Sequence, residues 1–490
     1  MKYILIAQFV LLSMSSFSAE KPKQGNPYLE FVQTFADQLI QVGTDHYGYR
    51  NTAMWASVIN LDDLTVPVRN VPGTKGVRSY DRAVGGSNYY HDVMTMKVFD
   101  AISDRTGNQR YADAVKAYTK DFLDLSQNPE TGLLGWGEHL YYDFFRDTVT
   151  IAESRIFDQR DYFKMPHEFL AWTPAWERLW KTNPEKTARA IEGIMWHFNG
   201  PDTKTYLFNR HAIWNQPVHQ NVVMPWIKHS VLFAYSFAFL YHKTGNELWR
   251  KRAREIALLY WNLRDYDTNL VFNCFYHESD PGNGKNPGIS STGQYAYWMY
   301  KTGEELEDET LKETAKAVMF AYDQYGWNVE NKGYYKSLQL DGTPLTKPEM
   351  ANVWEIGYGS PTLFSYAKTA VYISKKENDK EFLEIAQRCE KQIPISDLPQ
   401  QYTAQNLGEA INFYIDLYEL TKNDYYLAEA KEYAGKGMQN LVKNGLLLRQ
   451  VNDHYYEAKL GIGDLLAGLF RLGMIESDQN DLLKALDFSY

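Results

Sequence analysis

Cysteine is nearly absent: the chain has two in 490 residues, Cys274 and Cys389. Two are too few for a disulfide framework, so the fold must rest on buried apolar surface, and both read as inert core thiols. The apolar stretch from Ile4 to Met14 is too short to cross a bilayer. Followed by Ser15-Ser16-Phe17-Ser18-Ala19, it reads instead as a secretory signal, residues 1–19, which places the mature chain in the periplasm or outside the cell. Positive charge is also in deficit: 51 basic residues face 61 acidic ones, a formal charge of -10. That balance argues against a nucleic-acid partner and against a basic membrane-docking face, and no segment calls for membrane insertion. Several chemistries lack their motifs. Gly85-Gly86 has no strand–turn–helix context for nucleotide binding, no Gly-x-Ser-x-Gly elbow occurs, and neither Glu138-His139 nor His167-Glu168 shows the i, i+4 histidine spacing of a zinc helix.

What is present is repetition. Thr106-Gly107-Asn108, Thr244-Gly245-Asn246, Lys376-Glu377-Asn378-Asp379 and Thr421-Lys422-Asn423-Asp424 each precede an amphipathic helix with one charged and one apolar face. Charge-poor helices such as Ser230 to Tyr241 alternate with these. The spacing predicts outer helices near 27–42, 108–127, 184–199, 246–264, 307–325, 378–393 and 423–443. Inner helices are expected near 85–105, 165–182, 226–243, 289–302, 358–375, 405–421 and 461–473. Such pairs hide their apolar faces only against neighbours, so the expected fold is all-α, an (α/α)7 toroid forming one domain over 20–490; an (α/α)6 barrel with an extra terminal helix is the alternative.

The links from outer to inner helices are long and rich in Gly, Asn, Tyr, Trp and His, which places the expected site over the N-termini of the inner helices. Polar clusters fall there: Tyr80-Asp81-Arg82 with Asn88, Trp136-Gly137-Glu138-His139, Asn209-Arg210-His211, Trp226-Ile227-Lys228-His229, and the run to Tyr295. Each has a plain structural alternative. Arg82 and Arg210 serve equally as ion-paired struts, Glu138-His139 as a loop anchor, His229 as a core histidine and Tyr295 as packing. Asn209-Arg210-His211 has the least core value.

The segments DRAVGGSNYYHD, TGLLGWGEHL, FNRHAIW and KHSVLFAYSFAFLYHKTGN resemble those of helical-toroid polysaccharide lyases, most closely the alginate and glucuronan lyases of polysaccharide lyase family 38. The resemblance implies β-elimination of a 4-linked uronic-acid polymer. In that reaction the C5 proton leaves only after the adjacent carboxylate has been neutralised. On this reading His139, Asn209, His211, His229 and Tyr295 are the catalytic candidates. Arg82, Asn88, Trp136, Glu138, Arg210 and Trp226 are the candidates for holding an anionic polysaccharide. The base is a neutral histidine or an ionised tyrosine, and the acid a tyrosine or histidinium. No cofactor is expected, and no strong metal signature occurs, which leaves a structural or charge-neutralising divalent metal open. Two other functions remain open: a glycoside hydrolase drawing on Asp45, Asp81, Asp92, Glu138 or Asp143, and a non-catalytic glycan-binding protein. A sugar epimerase on the same toroid fits an exported chain less well. The oligomeric state is not legible, a homodimer being one option.

Overall fold

A computed structural model describes residues 25–68, 71–74, 77–152, 165–172, 174–200, 207–221, 225–274, 286–354, 363–394, 398–486 and 488. The expected signal segment and its boundary at residue 19 lie outside them.

Helices alternate between two layers. The outer set is α1 (Pro27–Gly43), α3 (Arg110–Ser126), α5 (Pro184–Glu192), α7 (Glu247–Ala257), α9 (Glu309–Gly326), α11 (Lys380–Glu390) and α13 (Asp424–Asn440). The inner set is α2 (Tyr89–Thr106), α4 (Trp176–Thr182), α6 (Ile227–Thr244), α8 (Ile289–Leu306), α10 (Leu363–Glu377), α12 (Ala404–Thr421) and α14 (Ile462–Glu476), with a short α15 (Asn480–Ala485) after it. Outer helices bury one stripe: α11 hides Phe382, Ile385, Ala386 and Cys389, the i, i+3, i+4, i+7 pattern of a helix lying on a core. Inner helices are covered nearly all round, and in α6 every residue from Val231 to Leu240 except Tyr235 is buried. Each large apolar side chain so buried contributes about 1.5–3 kcal/mol. Both cysteines are free and buried. No helix among the described residues is long and apolar enough to cross a membrane.

The repeated turns have a common local cause. Gly107 and Gly245 end α2 and α6 in the left-handed region, with φ of 74° and 68°. The next asparagine then ties down the start of the outer helix: Asn246 caps α7, accepting from the Leu248 amide at 3.0 Å, and Asn108, one residue before the N-cap of α3, accepts from that of Arg110 at 3.1 Å. Asn423 and Asp379 do the same for α13 and α11. There Lys422 and Asn378 adopt the positive φ in place of glycine.

Successive inner helices pack on one another from α6 through α14, and α14 packs on α2. The short α4 is tied in by polar links: Arg178 to Asp100 of α2 at 2.7 Å, Lys243 of α6 to Glu177 at 2.6 Å, and Trp176 Nε1 donating to Ser236 Oγ at 3.0 Å. The expected inner helix at 165–182 is thus helical only from Trp176. Pro166 and Pro174 lack the amide hydrogen an earlier helix would need.

The all-α expectation also changes, to a mostly helical fold with short strands. These are β1 (Val58–Asn60), β2 (Gly86–Ser87), β3 (Leu140–Asp143), β4 (Thr148–Ile151), β5 (Pro166–His167), β6 (Ala212–Ile213), β7 (Trp327–Asn328), β8 (Gly333–Tyr334), β9 (Val442–Lys443), β10 (Leu446–Leu447) and β11 (Tyr455–Glu457). They lie in the outer-to-inner links and give the polar backbone of those loops its partners. β2, β3 and β4 form one antiparallel sheet and β5 pairs with β6. β1 pairs with β11, Val58 opposite Glu457, so segments from the two ends of the described chain meet.

Candidate active site

One carboxylate organises the loop end of the ring. Glu168 follows β5, is fully buried, and is held by the pairing of His167 with Ala212 in β6. Its backbone also bridges to Gly137, which has φ +89°, and a side chain at Gly137 would overlap the Glu168 carbonyl. Only glycine allows that close approach, so the Trp-Gly-Glu-His run is built to lie against residue 168.

Four side chains converge on Glu168. His211 Nε2 lies 2.7 Å and His139 Nε2 3.5 Å from Oε2, while His229 Nε2 lies 3.1 Å and Arg210 Nη1 3.6 Å from Oε1. The rings of His139 and His211 are 5.3 Å apart. Burial pushes the Glu168 carboxyl up, but His211, His139 and His229 together outweigh it and hold the group well below the usual range, so it is ionised. Burial pulls His139 down, yet Glu168 and Glu138 leave it raised. His229 is driven down to about 4, chiefly by burial, and is neutral. Burial, then the neighbouring Glu168, raises Glu138.

Behind this layer runs a directional hydrogen-bond chain. Trp136 Nε1 donates to His167 Nε2 at 3.0 Å, which leaves the His167 proton on Nδ1 to meet His197 Nε2 at 2.9 Å. His197 Nδ1 then donates to the Asn209 carbonyl at 3.0 Å. Because an indole is donor only, one tautomer is set for each histidine. Burial holds both neutral, His167 at about 3 and His197 well below its ordinary value. Asn209 Oδ1 in turn accepts from the His211 amide at 3.0 Å, so the chain fixes the turn that aims His211. On the other side, His139 Nδ1 faces the Tyr80 carbonyl at 3.2 Å and Asp81 Oδ1 at 3.7 Å. Arg78 binds Asp81 at 2.8 and 2.9 Å and Glu138 at 2.5 Å, and Lys459 Nζ donates to the Asp81 carbonyl at 3.2 Å.

This set fits a divalent cation. His139, Glu168 and His211 each offer one ligand atom, all within 4.8 Å of one another. With Nδ1 of His139 directed at a backbone carbonyl, its Nε2 points toward the carboxylate, the orientation that ligating histidines take from their outer partners. Two imidazoles and one carboxylate suit zinc or manganese more than calcium.

The structure thus brings together His139, Arg210, His211 and His229 of the expected site, with Asn209 shaping the turn and Glu138 joined through Arg78. Other expectations need correction. Arg82 is a strut: it is 5% exposed and binds Glu457 at 2.8 and 2.9 Å. Asn88 is buried, caps α2 and donates to the carbonyls of Gly137 and Leu140 at 2.7 and 3.2 Å, so it holds the loop. Trp136 is buried at the head of the histidine chain. Tyr295 is fully buried, donates to the Ala257 carbonyl at 2.7 Å, and is raised beyond any base role by burial. His229 has no exposed surface and steadies Glu168 from behind. Trp226 is half-buried at the N-cap of α6, its backbone bridged to Cys274. Sequence reasoning missed Glu168, His167, His197, Arg78 and Lys459. His167-Glu168 was visible as a pair, but its partners come from other loops and leave no local spacing.

The model of the periplasmic pectate lyase family matches residues 78–275. That stretch holds Arg78, His139, Glu168, Arg210, His211 and His229. Similar solved structures include a family 76 glycoside hydrolase (mannosidase) from Bacteroides thetaiotaomicron, at 10% identity and TM-score 0.47 over 92% of this chain and 99% of that one. A sugar epimerase from a ruminal bacterium matches at 10% identity and TM-score 0.47, over 92% and 98%. A D-mannose isomerase matches at 12% identity and TM-score 0.46, over 94% and 100%.

Proposed function

We propose that this chain is an exported polysaccharide lyase that cleaves a 4-linked polyuronate by β-elimination, built as one (α/α)7 domain. The observation that carries the reading is the gathering of two part-exposed histidines and Arg210 on a buried carboxylate at the loop end of the ring. The periplasmic pectate lyase match over the same residues supports it and puts galacturonan ahead of alginate and glucuronan as the polymer.

The chemistry follows from the charges. Removing the C5 proton piles negative charge onto a carboxylate that is already anionic, so the site must offset that charge. A divalent cation on His139, Glu168 and His211 would supply positive charge next to the substrate carboxylate. Arg210, 17% exposed, adds a fixed guanidinium beside it and orients the planar group. Glu168 keeps the histidines in place, and the Trp136–His167–His197 chain keeps the Asn209–His211 turn in place. The proton acceptor must be a basic group that is not a ligand. We take Lys459 as that group: its Nζ lies 3.6 Å from Asp81 Oδ2, Asp81 lies beside His139, and burial pulls the amine below the usual lysine range. The C4–O4 bond then breaks, the electrons forming C4=C5, and a proton returns to O4.

Glycoside hydrolysis needs two carboxyl groups available across the sugar. Here Asp45 is buried and holds Thr52, Asp92 is buried against Tyr118, and Asp143 is buried and accepts from the amides of Phe145 and Arg146. Asp81 and Glu138 are tied to Arg78. Each of these five carboxylates thus has a contact of its own within the fold, which supports the lyase reading. Incubation with polygalacturonate, alginate and glucuronan separates the readings. Growth of ultraviolet absorbance from unsaturated ends is the expected result, largest on polygalacturonate; reducing ends without that absorbance would mean hydrolysis, and binding without turnover a glycan-binding protein.

A further inference from the structure

One cavity among the described residues lies beside the Glu168 cluster. It measures about 660 Å³ and opens between α2 and α4, in the range of saccharide and cofactor pockets. Its cause is the shortness of α4, two turns beside the five of α2, which leaves a window from the ring's interior toward α3. None of His139, Glu168 and His211 lines it; Lys459 does, and through Asp81 that residue also belongs to the catalytic cluster.

Two independent observations say what fits there. First, the walls carry seven lysines and arginines against four carboxylates, in a chain whose overall charge is -10. Among them Lys97 projects from α2 and Lys301 from α8. Second, His91, in the first turn of α2, lines the cavity and is 6% exposed, yet neither ring nitrogen has a hydrogen-bond partner among the described residues. A buried polar ring without a partner is costly, and a ligand carrying hydroxyl and carboxylate groups would relieve it. Trp172 and Tyr235 add aromatic surface of the kind sugar rings stack on.

We propose that this cavity is a binding site for a short oligouronide, with His91 hydrogen-bonding the sugar and Lys97 and Lys301 meeting its carboxylates. The proposal rests on the polyuronate reading for the ligand's name. The cavity's excess of cations and its unpartnered histidine stand without it.

The test uses the full chain carrying His211→Ala, so that turnover is slowed while ligand binds, and a galacturonate trimer followed by calorimetry. The Lys301→Met and Lys97→Met changes should each weaken trimer binding about tenfold, and a neutral glucose trimer should not bind measurably. His91→Leu, which fills the same buried space without a polar ring, should weaken binding while leaving the thermal midpoint unchanged or higher. Trimer affinity untouched by both lysine changes and by His91→Leu overturns the proposal, as does equal affinity for the neutral trimer. The two readings fail separately. A chain that cleaves no polyuronate but binds the trimer through Lys301 keeps the cavity and loses the lyase; one that makes unsaturated ends with trimer affinity indifferent to these residues does the reverse.

Discussion

At the scale of single residues, His211 is the sharpest case. It is the most exposed of the three side chains that could hold a cation, 27% by side chain, and its contact is the shortest made to Glu168. His211→Ala should lower kcat on the order of a hundredfold while KM changes little, because what is lost is stabilisation of charge that develops only in the transition state. Steady-state kinetics on polygalacturonate checks this, and near-parental turnover by a folded variant would take His211 out of the mechanism. Asp92 makes a different prediction. Fully buried on α2 with one hydrogen bond from Tyr118, its carboxyl is pushed up to about 8, mainly by burial. The folded pKa is above the unfolded one, so the folded state binds the extra proton. The stability this gives is complete below the unfolded value, near 3.8, and drains away as pH rises toward 8, by up to about 1.4 kcal/mol per pH unit. Asp92→Asn should remove that slope. Thermal midpoints at pH 5 and pH 8 should converge in the variant and diverge in the parent. Residue types at the site were legible from the sequence, since polar triplets such as Asn209-Arg210-His211 have little use in a core. Their roles were not. Arg82 and Arg210 look alike in sequence, and only the fold places Glu457, 375 residues away, against the first and Glu168 against the second.

At the scale of elements, the turn from inner to outer helix was readable because its determinants are local. A left-handed residue and an asparagine or aspartate cap lie within a few positions of each other, and the same pair recurs around the ring. Position 422 offers a test. Lys422 holds φ 56° where Gly245 holds 68°. Lys422→Gly should stabilise the protein by up to about 1 kcal/mol, and Gly245→Ala should cost about that much or more. Denaturant unfolding midpoints should move in opposite directions; a shift of the same sign in both would reject the account. The elements that sequence missed are the short strands and the truncated α4. Some strands pair across distant loops, as β1 does with β11 and β5 with β6, and strands of two to four residues carry too little period to read.

At the scale of the whole molecule, site and scaffold depend on each other through one cluster. The three side chains that could hold a cation come from two of the long links, His139 and Glu168 from opposite ends of the α3–α4 link and His211 from the link before α6. A cation there would tie those loops together as well as serve the reaction. Dialysis against a chelator should therefore depress activity at least tenfold and lower the thermal midpoint, with manganese or zinc restoring both. Activity that survived full chelation would favour the other use of the same groups, with His211 as base and Glu168 orienting it through the 2.7 Å contact.

The pairing of β1 with β11, backed by Arg82 on Glu457 and by α1 against α14, acts as a clasp. An open stack of helix pairs frays from its ends, each unit depending only on its neighbours. A clasped ring has no such end: loosening one pair strains the seam on both sides, so the molecule should melt as a unit, not peel. Topologically, such a ring also has no privileged first repeat. The chain could be reopened at the tight Gly245–Asn246 corner and rejoined across the clasp without changing which helix touches which.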